Sequence, residues 1–146
     1  MLLPVTLTIA AAAGIGNIAL AMRVVPIRLK DKVLFGDNGD SRLLARTRAH
    51  ANFVEYTPFV LILMALIEAG GGSARWLGIA GGTFVAARIA HAVGMDRATS
   101  NPWRAAGALL TWTILLALAV WALAVAYGYG AAPVIRVLPV EGSPMA

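Results

Sequence analysis

The chain has 146 residues, of which 60% are hydrophobic and 13% charged, with a formal net charge of +5 and no cysteine. Soluble domains are about half apolar and about a quarter charged, so this composition excludes an ordinary soluble domain and points to the bilayer. Without cysteine there is no disulfide, thiolate metal site or cysteine nucleophile, and basic residues grouped beside apolar runs read as topology and headgroup signals, not nucleic-acid binding.

The first expected span, Leu2 to Met22, carries no charge and is long enough to cross a bilayer. Ala19-Leu20-Ala21 looks like a signal-peptide cleavage site, but no positive charge precedes the apolar run, which favours a retained span. Asn17 lies mid-span and is expected to hydrogen-bond another helix. Residues 23–46 read as a charged connector centred on the turn Gly36-Asp37-Asn38-Gly39-Asp40.

The second span runs from Arg48 to Ile67 and contains Pro58, which removes a backbone hydrogen bond and predicts a kink. Glu68 to Arg75, with Gly70-Gly71-Gly72, reads as a short turn. The third span, Trp76 to Met95, holds Gly78 and Gly82, a small-residue pair suited to close helix contact. After a connector at 96–102, the fourth span covers Trp103 to Tyr127. Trp76 and Trp103 fall at span ends, where aromatic belts sit. The expectation is an all-α integral membrane four-helix bundle over residues 1–130, followed by a tail, 131–146, without firm structure.

Four spans place both termini on one side. The connectors and their edges hold Arg23, Arg28, Lys30, Lys32, Arg42, Arg46, Arg48, Arg97 and Arg104, whereas the termini side holds Arg75 and Arg136. The positive-inside rule puts the connectors in the cytoplasm and the termini outside.

The second span opens as Arg48-Ala49-His50-Ala51-Asn52-Phe53-Val54-Glu55-Tyr56-Thr57-Pro58. On a helix, Arg48, Asn52 and Glu55 fall within an arc of about 60°. Ionised groups inside a membrane are expensive and mark a candidate site. Counting depth from the basic side, Glu55 and Arg88 both lie roughly 10 Å in, and Asn52 and His91 roughly 6 Å in. The expected pairs are therefore Glu55 with Arg88 and Asn52 with His91, either as bundle glue or as the lining of a polar cavity open to the cytoplasm. His50 points away from this face and reads as a packed residue. His50 and His91 make a poor metal set, and no phosphate-binding loop or serine nucleophile motif is visible.

The run from Arg48 to Pro58, together with Ala87-Arg88-Ile89-Ala90-His91 and Asn101-Pro102-Trp103-Arg104, resembles the MAPEG family, the membrane-associated proteins in eicosanoid and glutathione metabolism. The connector Val33-Leu34-Phe35-Gly36-Asp37-Asn38-Gly39 is most similar to its small bacterial branch. The resemblance implies a homotrimer in the bacterial inner membrane, with glutathione bound between subunits at the cytoplasmic side. It implies that Arg48, Asn52, Glu55 and Tyr56 contact glutathione, that Arg104 lies near its sulfur, and that Arg28 adds positive potential. Arg88 and His91 join the binding set as members of the polar layer. Leu44-Ala45 stands where the family often has Glu-Arg, and Met95 where many members have a tyrosine that stacks over the ligand.

Arginine suits the two carboxylates of glutathione through forked hydrogen bonds, and Glu55 suits its ammonium. A free thiol has a pKa of about 8.5, and lowering it by about two units needs roughly 2.7 kcal/mol, within reach of one arginine in a partly desolvated site. Arg104 is the expected catalytic residue. The expected reaction is addition of glutathione thiolate to an apolar electrophile, or reduction of a lipid hydroperoxide, with both apolar partners arriving from membrane lipid. The alternatives are a non-catalytic glutathione-binding membrane protein and a small transporter.

Overall fold

A computed structural model describes residues 2–97, 99 and 101–128; the tail expected to lack firm structure, 131–146, lies outside the described residues. Four helices follow in order: α1 Pro4–Asp31, α2 Ser41–Ala69, α3 Ala74–Met95 and α4 Pro102–Ala126. Each is long and apolar enough to cross a membrane, and no strand occurs among the described residues.

Helix ends differ from the sequence expectation. Helix α1 continues past Met22 through Pro26 to Asp31, so Arg23, Arg28 and Lys30 are helical rather than part of a connector. Hydropathy marks where a helix leaves the hydrocarbon, not where it stops, and arginine and lysine are good helix formers. The helix ends at Lys32 in the left-handed region, with Val33 N–H donating to the Arg28 carbonyl. Helix α2 starts at Ser41, seven residues before Arg48, because Asp40 Oδ1 accepts from the backbone N–H groups of Arg42 and Leu43. The connector thus shrinks to Lys32–Asp40, with Gly36 and Gly39 both at positive φ as its expected turn requires. Helix α2 runs unbroken through Pro58, and the Thr57 hydroxyl donates back to the Phe53 carbonyl at 2.6 Å.

Helices α2 and α3 are central. Helix α1 packs on both from one side, and α4 packs on both from the other; α1 and α4 do not meet among the described residues. The main core joins Ile9, Val60, Met64, Ile67, Leu77, Phe84, Ile114 and Leu118. A smaller cluster, Ala13, Leu20, Ala49, Phe53 and Ala92, fills the α1–α2–α3 junction. In the most apolar stretch of α3, 44% of residues are buried, against 11% for α4, so α4 presents most of its apolar surface outward.

Each end of the bundle is tied by long-range polar contacts. At the end carrying the α1–α2 and α3–α4 connectors, here the basic end, Asp96 receives both Arg23 and Arg46, and Arg46 also donates to the Arg23 carbonyl at 2.9 Å. These contacts join α1, α2 and the end of α3. At the opposite end, both Glu68 carboxylate oxygens accept from α1, from Val5 N–H at 3.0 Å and Thr6 N–H at 2.8 Å. Two orphan amides at the start of α1 are thereby capped from another helix.

The close helix contacts fall on other glycines than expected. A Cβ built on Gly78 or Gly82 would meet nothing within 4 Å. One on Gly107 would lie 2.6 Å from the Ala87 carbonyl oxygen and 2.7 Å from His91 backbone nitrogen, and one on Gly94 would lie 2.5 Å from Arg104 nitrogen. The tight seam is α3 against α4, set by Gly94 and Gly107.

Candidate functional site

The polar face of α2 meets two different environments. Arg48, at its outer part, is exposed and lines a cavity of about 740 Å3 at the basic end. Arg104, from the first turn of α4, lines the same cavity, joined by Arg42, Arg46 and Arg97. The cavity holds a single carboxylate, Asp96, which is already engaged by Arg23 and Arg46. Arg42, Arg48, Arg97 and Arg104 form no ion pair among the described residues. Four uncompensated guanidinium groups around one hollow give a strongly positive local field, suited to a ligand with more than one anionic group. Ala45 and Met95, the two positions where the sequence departs from the family pattern, also line it.

The backbone of Arg104 is fixed from three sides. Asn101 caps α4 by accepting from Arg104 N–H at 3.1 Å, and its side-chain amide donates to the Gly94 carbonyl at 2.8 Å. His91 Nδ1 lies 3.2 Å from the Arg104 carbonyl, to which it donates in the tautomer protonated there. Gly94 permits the close approach already described. The motifs Ala87–His91 and Asn101–Arg104 therefore meet in space, and their joint effect is to place the Arg104 side chain, which stays exposed at the cavity.

Deeper along α2 lies a second polar cluster. Arg88 is 3% exposed. Its Nη1 donates to Asn52 Oδ1 at 2.6 Å and its Nη2 to the Gly107 carbonyl at 2.9 Å. The Gly107 carbonyl also accepts from the Thr111 hydroxyl at 2.8 Å. The guanidinium carbon of Arg88 stands 5.7 Å from the centroid of the Tyr56 ring, within cation–π range. Trp112 Nε1 donates to the Tyr56 hydroxyl at 2.9 Å. Asn52, Tyr56, Arg88 and Trp112 thus link α2, α3 and α4.

Two expected pairings are corrected. Arg88 does not pair with Glu55: Glu55 is exposed and makes no ion pair among the described residues, while Arg88 is held by an amide, a carbonyl and an aromatic face. Asn52 does not pair with His91, which is buried and turned to α4. The depth count sets the level of a side chain but not its direction around the helix. Arg28 stands apart from both clusters: its Nη1 donates to the Val33 and Leu34 carbonyls just past the end of α1. His50 Nε2 lies 2.8 Å from Asn17 Oδ1, which accounts for both residues as an α1–α2 contact. Sequence reasoning missed Arg42, Arg46 and Arg97 as cavity residues because it placed them in flexible connectors; their basic charge beside the Arg48 motif was the available signal.

The chain is similar to the inner membrane protein YecN of Escherichia coli K12, 36% identical over 93 residues, covering 64% of this chain and 70% of the relative. The YecN of Escherichia coli O6:H1 matches to the same extent. No solved structure gives a significant match. A sequence model of the MAPEG family matches residues 6–124, and the chain belongs to that family.

Proposed function

We propose that this membrane protein binds glutathione in the arginine-lined cavity and transfers its thiolate to an apolar electrophile. One observation carries the proposal: Arg48 and Arg104, on different helices, line one hollow with three more arginines and a single, already engaged carboxylate. Family membership supports the ligand's identity.

In this reading Arg48 and its neighbours receive the two glutathione carboxylates. Arg104 stands by the sulfur and favours the thiolate by charge. The thiol proton leaves to water. The sulfur then forms a bond to the electrophilic carbon, whose leaving group departs with its electron pair. In the hydroperoxide branch it attacks the outer oxygen: the O–O bond breaks, the inner oxygen leaves with its electron pair and takes a proton from water as the alcohol, and a second glutathione converts the sulfenic acid so formed to the disulfide and water. Asn52, Tyr56 and Glu55 continue the α2 face one to two turns inward from Arg48. An exposed carboxylate at that depth is costly against lipid. Glu55 is therefore covered in the assembly by the ligand ammonium or by a neighbouring subunit of a homotrimer. The basic end faces the cytoplasm, by the distribution of arginine and lysine.

Isothermal calorimetry with glutathione tests binding, and a spectrophotometric assay with a chloronitroaromatic electrophile tests turnover. Absence of glutathione heat in folded, assembled protein overturns the proposal. Binding without turnover selects a second reading, a glutathione-binding protein that is not an enzyme. That reading is favoured by the cavity wall itself, where Ala45 stands in place of the Glu-Arg pair and Met95 in place of the ligand-stacking tyrosine that the family resemblance leads one to expect.

A further inference from the structure

A groove of about 300 Å3 runs between α1 and α3, on the side of the bundle away from α4. Its α1 wall carries small residues, Ala12, Gly16 and Ala19, and its lining is almost wholly apolar apart from two arginines, Arg23 and Arg88. Arg23 marks the basic end, where it meets Asp96.

We infer that this groove holds one acyl chain of an anionic phospholipid, with the lipid phosphate at Arg23. Three observations on this chain select that occupant. The first is length. From Ala12 to Arg23 the groove follows α1 for about 16 Å at 1.5 Å per residue, which is half of a hydrocarbon core of about 30 Å. It is one leaflet deep. A helix from a second copy would need a seat across the whole bilayer.

The second is charge. Arg23, at the mouth of the groove, shares the single carboxylate of Asp96 with Arg46 of the neighbouring cavity, so the pair keeps one surplus positive charge at headgroup level. The third is the inner wall. Arg88 is buried, has no carboxylate partner among the described residues, and leaves its Nε without a hydrogen-bond partner. Its uncompensated charge adds a positive potential along the groove and favours an anionic over a zwitterionic lipid. The site is separate from the cavity assigned to glutathione, which lies on the α2–α4 side of Asp96.

Native mass spectrometry of the full chain released from detergent, titrated with phosphatidylglycerol and with phosphatidylcholine, tests this. The wild type is expected to retain phosphatidylglycerol severalfold more tightly, in line with one or two basic groups at a lipid surface. Ala19 is exposed and lines the groove, so Ala19→Phe fills it without disturbing the core. It is expected to weaken both lipids about tenfold, equivalent to roughly two buried methylenes. Arg23→Gln is expected to cut the preference for phosphatidylglycerol to the smaller part that Arg88 supplies, while keeping phosphatidylcholine. Equal retention of the two lipids by the wild type overturns the inference, as does wild-type retention by Ala19→Phe or an undiminished preference in Arg23→Gln. A change in subunit number with Ala19→Phe overturns it in favour of a second copy. None of these readouts uses glutathione.

Discussion

The Arg88 guanidinium donates to Asn52 Oδ1 at 2.6 Å, three residues short of the Glu55 carboxylate expected to pair with it. A buried cation is thus held by dipoles and an aromatic face instead of an anion. Removing the amide strands a charge, whereas removing the charge itself does not. Asn52→Ala is expected to destabilise the protein by roughly 1–3 kcal/mol. Arg88→Met should cost less, because a flexible apolar side chain replaces a poorly compensated charge. In the Arg88→Met background, Asn52→Ala should be nearly neutral. Unfolding in mixed detergent micelles measures all four proteins as a double-mutant cycle; an undiminished Asn52 effect in that background would exclude the coupling.

The same pair shows how far sequence reading reaches. Four spans follow from runs of apolar residues too long for anything but a bilayer, and the structure has four such helices. Asn17 with His50 was half legible: a lone amide in hydrocarbon must find a partner, though which one depends on packing. Contact between Arg88 and the polar face of α2 was legible too, though it falls on Asn52, three residues from the Glu55 that the depth count gave. Rotation was not. At about 100° per residue, a small difference in how α3 turns against α2 decides between Asn52 and Glu55. The arginine cavity was visible only in part, because α2 extends beyond the hydrocarbon and carries Arg42 and Arg46 on ordered helix instead of loop.

Glu68 had no sequence signal, since it caps a helix that begins more than sixty residues earlier. It accepts from Val5 and Thr6, and the α1 N-cap residue Leu3 supplies no side-chain cap of its own. Glu68→Ala should cost about 0.5–2 kcal/mol, the range for a lost N-cap. Glu68→Gln, which keeps one acceptor oxygen, should lie between. Amide hydrogen exchange at Val5 and Thr6 separates this local fraying from a global effect: the two amides should lose protection before the α3–α4 seam does.

Glycines of the third and fourth helices divide cleanly by what surrounds them. Gly107→Ala drives a methyl against backbone atoms of Ala87 and His91 and shifts the carbonyl that receives Arg88. Overpacking of this kind typically costs about 1–3 kcal/mol. Gly82→Ala meets open space and should be neutral or slightly stabilising in the single chain, given alanine's better helix propensity. Thermal unfolding of the two variants side by side checks the contrast. A loss of oligomers in Gly82→Ala with intact subunits would show that this face packs against another copy.

Arg104 and Arg48 share one cavity but should fail differently. Arg48→Ala removes a carboxylate partner and should weaken glutathione binding with turnover of bound ligand kept. On the proposed function, Arg104→Ala should lower turnover far more than binding, because it changes the ionisation of the reacting sulfur while the arginines that receive the carboxylates remain. The pH profile gives the sign. A cation beside the sulfur lowers the thiol's pKa, so the wild-type profile should have its midpoint below neutrality, about two units under the free value. Without Arg104 the midpoint should rise toward roughly pH 8.5, the value of a free thiol. At pH 7 the variant should then run about 30-fold below its own alkaline plateau, the thiolate fraction expected for that pKa. His91→Leu offers a milder version, since His91 touches the Arg104 carbonyl and not the cavity. It should move the midpoint in the same direction and by less. A profile unchanged in Arg104→Ala, with binding and turnover falling together, assigns Arg104 to holding the ligand and moves the activation of sulfur to another group.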